Sequence, residues 1–270
     1  MTERTGRYVT LPQGDVYVEQ HGEGRTLLCI HGLGGGGHFF AVLGSAIGLQ
    51  CRVVAIDLPG SGLSPATRPF SFDAAADIVV ALARQEGWQQ IRLLGHSMGT
   101  IVALEVVRRA PDLVAGLLAV GGLPEPSAGT RERIAARVAE VRETGSLAGL
   151  GAGVMASNVS AATRRDQPAL VALQARLFDL QSQAAYAETA AALAGWRARP
   201  LPPLDAVRCD AVTGSDDAYA PPGAVAAFVE ALPPGATLTV LPDCGHLPFL
   251  EQPERFVEVV AAWLRKFARQ

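Results

Sequence analysis

The feature that most restricts the fold of this chain is an alternation that stops once and then resumes. Short, almost wholly apolar runs at 26–30, 52–56, 91–94 and 113–120 are separated by helical patterns at 72–86 and 98–109. A strand apolar on both faces is buried on both faces, which predicts a parallel sheet covered by helices on either side. Two shorter strands, 7–11 and 16–20, flank the turn-rich Pro12-Gln13-Gly14-Asp15. The alternation stops at Gly121-Gly122-Leu123-Pro124-Glu125-Pro126, and up to Pro200 only helical patterns are found. It resumes with strands at 211–213 and 237–241 and helices at 223–231 and 253–267. The expected fold class is therefore α/β, with a mostly parallel central sheet. Residues 1–122 and 201–270 form its core, and 123–200 a helical insertion.

Within the insertion, 131–144 places Ile134, Val138 and Val141 on one face. Asp166-Gln167-Pro168 reads as a helix start with an acidic cap and an early proline. Leu170, Leu173, Leu177 and Leu180 then recur at helical spacing and are expected to be that helix's packing face.

Composition narrows the function classes. Forty-nine per cent of the 270 residues are apolar and 18% charged, enough for a sizeable core. The net charge of −3 gives no footprint for nucleic acid. The longest nearly uncharged apolar run, 113–123, falls short of the roughly 20 residues a membrane span needs. The N-terminal octapeptide is polar and resembles no secretory leader, so a cytoplasmic protein is expected. Cys29, Cys51, Cys209 and Cys244 include no CxxC pair and are expected to be buried free thiols.

Chemistry enters at Gly95-His96-Ser97-Met98-Gly99, a G-x-S-x-G between a predicted strand and a predicted helix. A serine on so sharp a turn needs neighbours without side chains, and the helix start beneath it offers free N–H groups to negative charge. A serine hydroxyl also needs a base. Of the five histidines only His246 follows Ser97 in the chain, after the 237–241 strand, where the order Ser, acid, His would place it. The orienting acid should follow strand 211–213. Asp217 is preferred to Asp216, because three residues past Gly214 carries it around the turn, and Asp210 and Asp243 are less well placed.

Residues 32–37 also satisfy G-x-G-x-x-G, with Asp57 twenty residues beyond. Consecutive glycines match almost any glycine template, and 39–48 is too ragged for a clean crossover helix, so a dinucleotide site is rejected. The better reading is a backbone loop beside Ser97, in which the N–H groups of Leu33 and Met98 form an oxyanion hole.

These residues resemble the α/β-hydrolase superfamily along nearly the whole chain. The features are His31-Gly32, the run Asp57-Leu58-Pro59-Gly60-Ser61-Gly62-Leu63-Ser64, Gly95 to Gly99, Gly214 to Asp217, and Gly245-His246. The resemblance implies Ser97 as nucleophile, Asp217 and His246 as its partners, Leu33 and Met98 as oxyanion donors, and neither cofactor nor metal. By the same resemblance the insertion at 123–200 corresponds to the family's helical lid, and it is loosely similar to that of oxoadipate enol-lactonases, in residues 137–145 and in Ala185-Tyr186-Ala187-Glu188 before Trp196. It departs at His96 and at the glycine run.

The expectation is a serine hydrolase acting on a small carboxylic ester or lactone, with Leu123, Trp196 and Leu247 lining the pocket. No nucleic-acid or membrane partner is expected, and the chain should be a monomer or homodimer. The alternatives are C–C bond hydrolysis of a vinylogous diketone acid, for which such enzymes carry extra pocket arginines and a tryptophan where Leu247 stands, and a low-turnover ligand-binding receptor.

Overall fold

The structure is a computed structural model that describes residues 4–66 and 69–267. Residues 1–3 of the polar N-terminal segment lie outside the described residues. Eight strands form one sheet: β1 (Arg4–Leu11), β2 (Gly14–His21), β3 (Thr26–Ile30), β4 (Arg52–Ile56), β5 (Ile91–His96), β6 (Val114–Val120), β7 (Arg208–Gly214) and β8 (Leu238–Leu241). Their order is β1-β2-β4-β3-β5-β6-β7-β8, with β2 antiparallel to both its neighbours and the remaining pairs parallel. Every residue of β3 and β5 is buried, which accounts for their largely apolar character, Arg92 and His96 being the buried exceptions in β5.

Between these strands lie α1 (Ala41–Ile47), α2 (Phe72–Gln85) and α3 (Met98–Arg109). The path from β3 through α1 to β4 runs one way across the sheet, whereas β4 to β5 and β5 to β6 run the other way. Parallel crossovers are right-handed, so α1 must cover one face while α2 and α3 cover the opposite one. The direction reverses at the C-terminal ends of β3 and β5, which is where open α/β sheets build their sites.

The regular elements described between β6 and β7 are all helices: α4 (Ala128–Thr144), α5 (Leu150–Asn158), α6 (Ala161–Asp166), α7 (Pro168–Asp179) and α8 (Gln183–Gly195). Ser127, Ser160 and Ser182 cap α4, α6 and α8 by accepting a backbone N–H in the first turn, about 1 kcal/mol each. The core closes with α9 (Pro222–Glu230), α10 (Pro248–Glu251) and α11 (Pro253–Arg265), the last packed beside α1.

Three local expectations are corrected. Residues 37–47 are more regular than their glycines suggest, a 3-10 turn running into α1. Gly44 sits inside that helix because a Cβ there would lie 2.3 Å from the His21 ring. Asp166 ends α6 and pairs with Arg165 instead of capping α7, though Pro168 does open that helix. The leucine stripe is not the packing face of α7. Leu173, Leu177 and Leu180 are 55%, 39% and 62% exposed, whereas Gln174, Ala175 and Phe178 are buried. An aromatic side chain removes more apolar surface from water than a leucine. Phe178 sets the helix's rotation by seating against Gly34 and meeting Tyr186 edge-on at 5.1 Å.

All four cysteines are buried and free, as expected. Among the described residues no helix is long and apolar enough to cross a membrane.

Candidate active site

Ser97 occupies the single residue between β5 and α3, with φ 52° and ψ −119°. An L-residue reaches such angles only at a cost of about 1–3 kcal/mol, so the surroundings must impose them. A Cβ at Gly95 would stand 2.6 Å from the Gly99 carbonyl oxygen, and one at Gly99 2.2 Å from that of Ile30. With glycine at both places, α3 can approach β3 and β5 closely enough to force the turn. The turn is pinned by Ser97 N–H donating to Val120 O (2.9 Å), and by the Thr100 hydroxyl donating to Gly95 O (2.8 Å).

The loop after β8 brings in His246, buried and 2.8 Å through Nδ1 from Asp217 Oδ2. The other oxygen of Asp217 accepts the N–H groups of Tyr219 (2.8 Å) and Ala220 (2.9 Å). Burial alone would raise the Asp217 carboxyl; the attraction of His246 and these N–H donors outweigh it and hold the group below the ordinary carboxylate range. An ionised Asp217 accepts from Nδ1–H, which fixes the tautomer and turns the lone pair of Nε2 outward.

The buried His96 ring lies 4.8 Å from that of His246, and its Nε2 donates to the His246 carbonyl at 2.9 Å. Burial, with His246 beside it, pushes His96 down to about 3, so this ring stays neutral and serves as a prop.

Ser97 and His246 face one cavity of about 80 Å³. No direct hydrogen bond joins the Ser97 hydroxyl to the imidazole in this structure, and such bonds commonly tighten only when substrate is bound. The N–H groups of Leu33 and Met98, following β3 and Ser97, donate to no other group of the described protein. They lie on either side of the switch point, where two unused donors can meet one oxygen.

Leu33, Met98, Leu123 and Leu247 line the cavity. Trp196 does not. Its ring packs 4.6 Å from Phe72 and its Nε1–H donates to Pro124 O at 3.0 Å, so it locks the root of the insertion, where the chain leaves and re-enters the core.

The other acids considered are engaged elsewhere. Asp216 is exposed and bonded to Ser215, and Asp210 pairs with Lys266. Asp57 accepts Gly37 N–H at 2.5 Å and Leu63 N–H at 2.7 Å, tying two loops together and leaving no carboxylate for a ribose. Among the described residues no group of three or more His, Cys, Asp or Glu is arranged to hold a metal ion.

Two polar residues escaped the sequence reading. Arg137 lines the cavity; its position three residues after Ile134, on the inward stripe of α4, was a visible signal. The buried carboxylate of Glu251 accepts from Gly245 N–H and Leu247 N–H on either side of His246. It also accepts from Ser160 N–H (2.8 Å) and the Thr163 hydroxyl (2.9 Å) in the insertion. No local pattern reveals contacts spanning ninety residues.

The family model described as "Alpha/beta hydrolase family" matches residues 27–259. A pimeloyl-[acyl-carrier protein] methyl ester esterase of Chromobacterium violaceum is 30% identical over 93% of this chain and 98% of its own. A thermophilic esterase from Thermogutta terrifontis, solved with malate bound, superposes with a TM-score of 0.83 at 25% identity, covering 97% of this chain and 98% of its own. The enol-lactonase of Burkholderia xenovorans shares the fold, with a TM-score of 0.86 at 20% identity over 96% of this chain and all of its own. The chain is a member of the alpha/beta hydrolase family.

Proposed function

We propose that this protein hydrolyses a small carboxylic ester or lactone through Ser97, His246 and Asp217. In the first step the Ser97 oxygen bonds to the substrate carbonyl carbon as its proton passes to Nε2 of His246. The oxyanion accepts from the N–H groups of Leu33 and Met98, each worth about 3 kcal/mol in the transition state. Collapse breaks the bond to the alcohol oxygen, which takes the proton back from His246. Water then repeats the sequence on the acyl-enzyme, gives its proton to His246, and the acid leaves with Ser97 restored. Asp217 stays ionised throughout and steadies the imidazolium. Helices α4 to α8 act as a lid, α4 and α5 closing over the cavity with Ile134, Val154 and Met155.

The observation that carries this reading is a strained serine turn flanked by two unused N–H donors, sharing its cavity with an imidazole already oriented by a buried carboxylate. The esterase and lactonase relatives support it. The test is turnover of p-nitrophenyl acetate by the intact protein and by Ser97→Ala. The substitution is expected to lower kcat by at least about a thousandfold while the protein stays folded. Comparable turnover by the variant would refute the assignment.

A further inference from the structure

The cavity contains a charge that the hydrolytic steps do not use. Arg137 projects from α4 beside the buried Ile134, Val138 and Val141, and lines the same cavity as Ser97 and His246. Its Nη1 donates to the hydroxyl of Tyr186 at 3.1 Å, and Tyr219, whose ring lies 4.9 Å from that of His246, flanks it as well. Burial pushes the Tyr186 hydroxyl further from ionising, so it supplies no negative charge. Among the described residues no carboxylate lies within ion-pair distance of Arg137.

The other charged side chains around this end of the cavity have partners of their own, Arg133 donating to the Thr130 hydroxyl with its guanidinium over the Tyr219 ring. Glu125, which also lines the cavity, is paired with Arg131 and accepts the Ala198 N–H. Arg164 donates to the Ala156 and Val159 carbonyls, Arg165 pairs with Asp166, and Arg199 pairs with Asp73 and Glu105. Of these cations Arg137 is the one that lines the cavity, among side chains such as Leu33, Val154, Phe178 and Leu247. Holding a cation there without a counter-ion is unfavourable. The cost is offset when the missing anion arrives with the ligand, and a guanidinium presents paired N–H donors that match a carboxylate.

We infer that Arg137 receives a free carboxylate of the substrate, so that the natural ester or lactone is itself an acid anion. This deepens the hydrolase reading and rests on it. Tyr186 and Tyr219 hold the guanidinium in place, and Tyr219 connects that end of the cavity to the imidazole.

Three probes test the inference: monomethyl glutarate, with its carboxylate on the acyl side; 4-acetoxybutyrate, with its carboxylate on the alcohol side; and dimethyl glutarate, which has none. One of the two acids should exceed the diester in kcat/KM by about 10- to 100-fold, the worth of a charge-assisted hydrogen bond or a bidentate pair. Arg137→Met should erase that ratio, mainly through KM, and Arg137→Lys should recover part of it. Calorimetric titration of glutarate into Ser97→Ala and into Ser97→Ala/Arg137→Met should show binding only to the first. A wild-type protein indifferent to the carboxylate, or an acid-to-diester ratio unmoved by Arg137→Met, overturns the inference. Arg137-dependent glutarate binding without hydrolysis of any ester would instead uphold the anion site and overturn the hydrolase reading alone.

Discussion

Replacing Glu251 by glutamine removes one acceptor while conserving volume, and the structure sets the size of the effect. The carboxylate receives five contacts, two on Oε1 from Gly245 N–H and Leu247 N–H, and three on Oε2 from Ser160 N–H, the Thr163 hydroxyl and Gly245 N–H. Every backbone partner is a donor that cannot reverse. Wherever the amide NH2 is placed, it faces at least one buried N–H. With NH2 at the Oε1 position, Leu247 N–H loses its acceptor, while Gly245 N–H retains Oε2.

One stranded N–H and the loss of charge from the remaining bonds together amount to about 2–4 kcal/mol. For a chain of this size that lowers the melting temperature by roughly 4–8 °C. The N–H groups released belong to the residues on either side of His246, so the imidazole shifts as well. A displacement approaching 1 Å costs on the order of a hundredfold in rate. Glu251→Gln should therefore show a lower melting temperature by calorimetry and a kcat reduced about 10- to 100-fold on p-nitrophenyl acetate, with KM changing much less. Melting within 1 °C of wild type and kcat within about twofold would refute the claim that this carboxylate positions the histidine.

Two further expectations follow from other features. The Asp217 carboxyl lies below its ordinary range in the fold, so its ionised form adds stability above that range, and the contribution is lost as pH falls through the lowered value. Melting curves below about pH 4 should thus fall more steeply for wild type than for Asp217→Asn, and parallel slopes would contradict this. Phe178→Ala should cost about 3–5 kcal/mol in urea unfolding. Leu173→Gln, on the exposed side of the same helix, should change stability by no more than about 0.5 kcal/mol, and the reverse ranking would restore the leucines as the packing face.

Physical signals that are local or repetitive carried the sequence reading furthest. Strands buried on both faces are written as continuous apolar runs, which is why β3 to β6 and the insertion point were visible. The turn at Ser97 was legible because steric necessity fixes glycine at two positions. Chain order then left His246, and the strand end favoured Asp217. Where two patterns share one period, spacing cannot choose between them: α7 carries leucines and also the set Gln174, Ala175 and Phe178, and only the fit of Phe178 against Gly34 decides. Trp196 was misplaced for a related reason. A tryptophan near a cavity and one bracing a junction look alike until Pro124 is seen accepting its N–H.

The backbone of the insertion is joined directly to the loop bearing His246, with His246 N–H donating to Asn158 O at 2.6 Å. The helical segment is therefore no detachable cassette. A chimera that exchanges residues 123–200 for the corresponding stretch of another hydrolase discards the Asn158 carbonyl and two donors to Glu251, and with them the seat of the imidazole. Grafts cut to spare 158–163 keep that seat, so new substrate ranges are best built by recombining α4, α7 and α8 around an untouched joint.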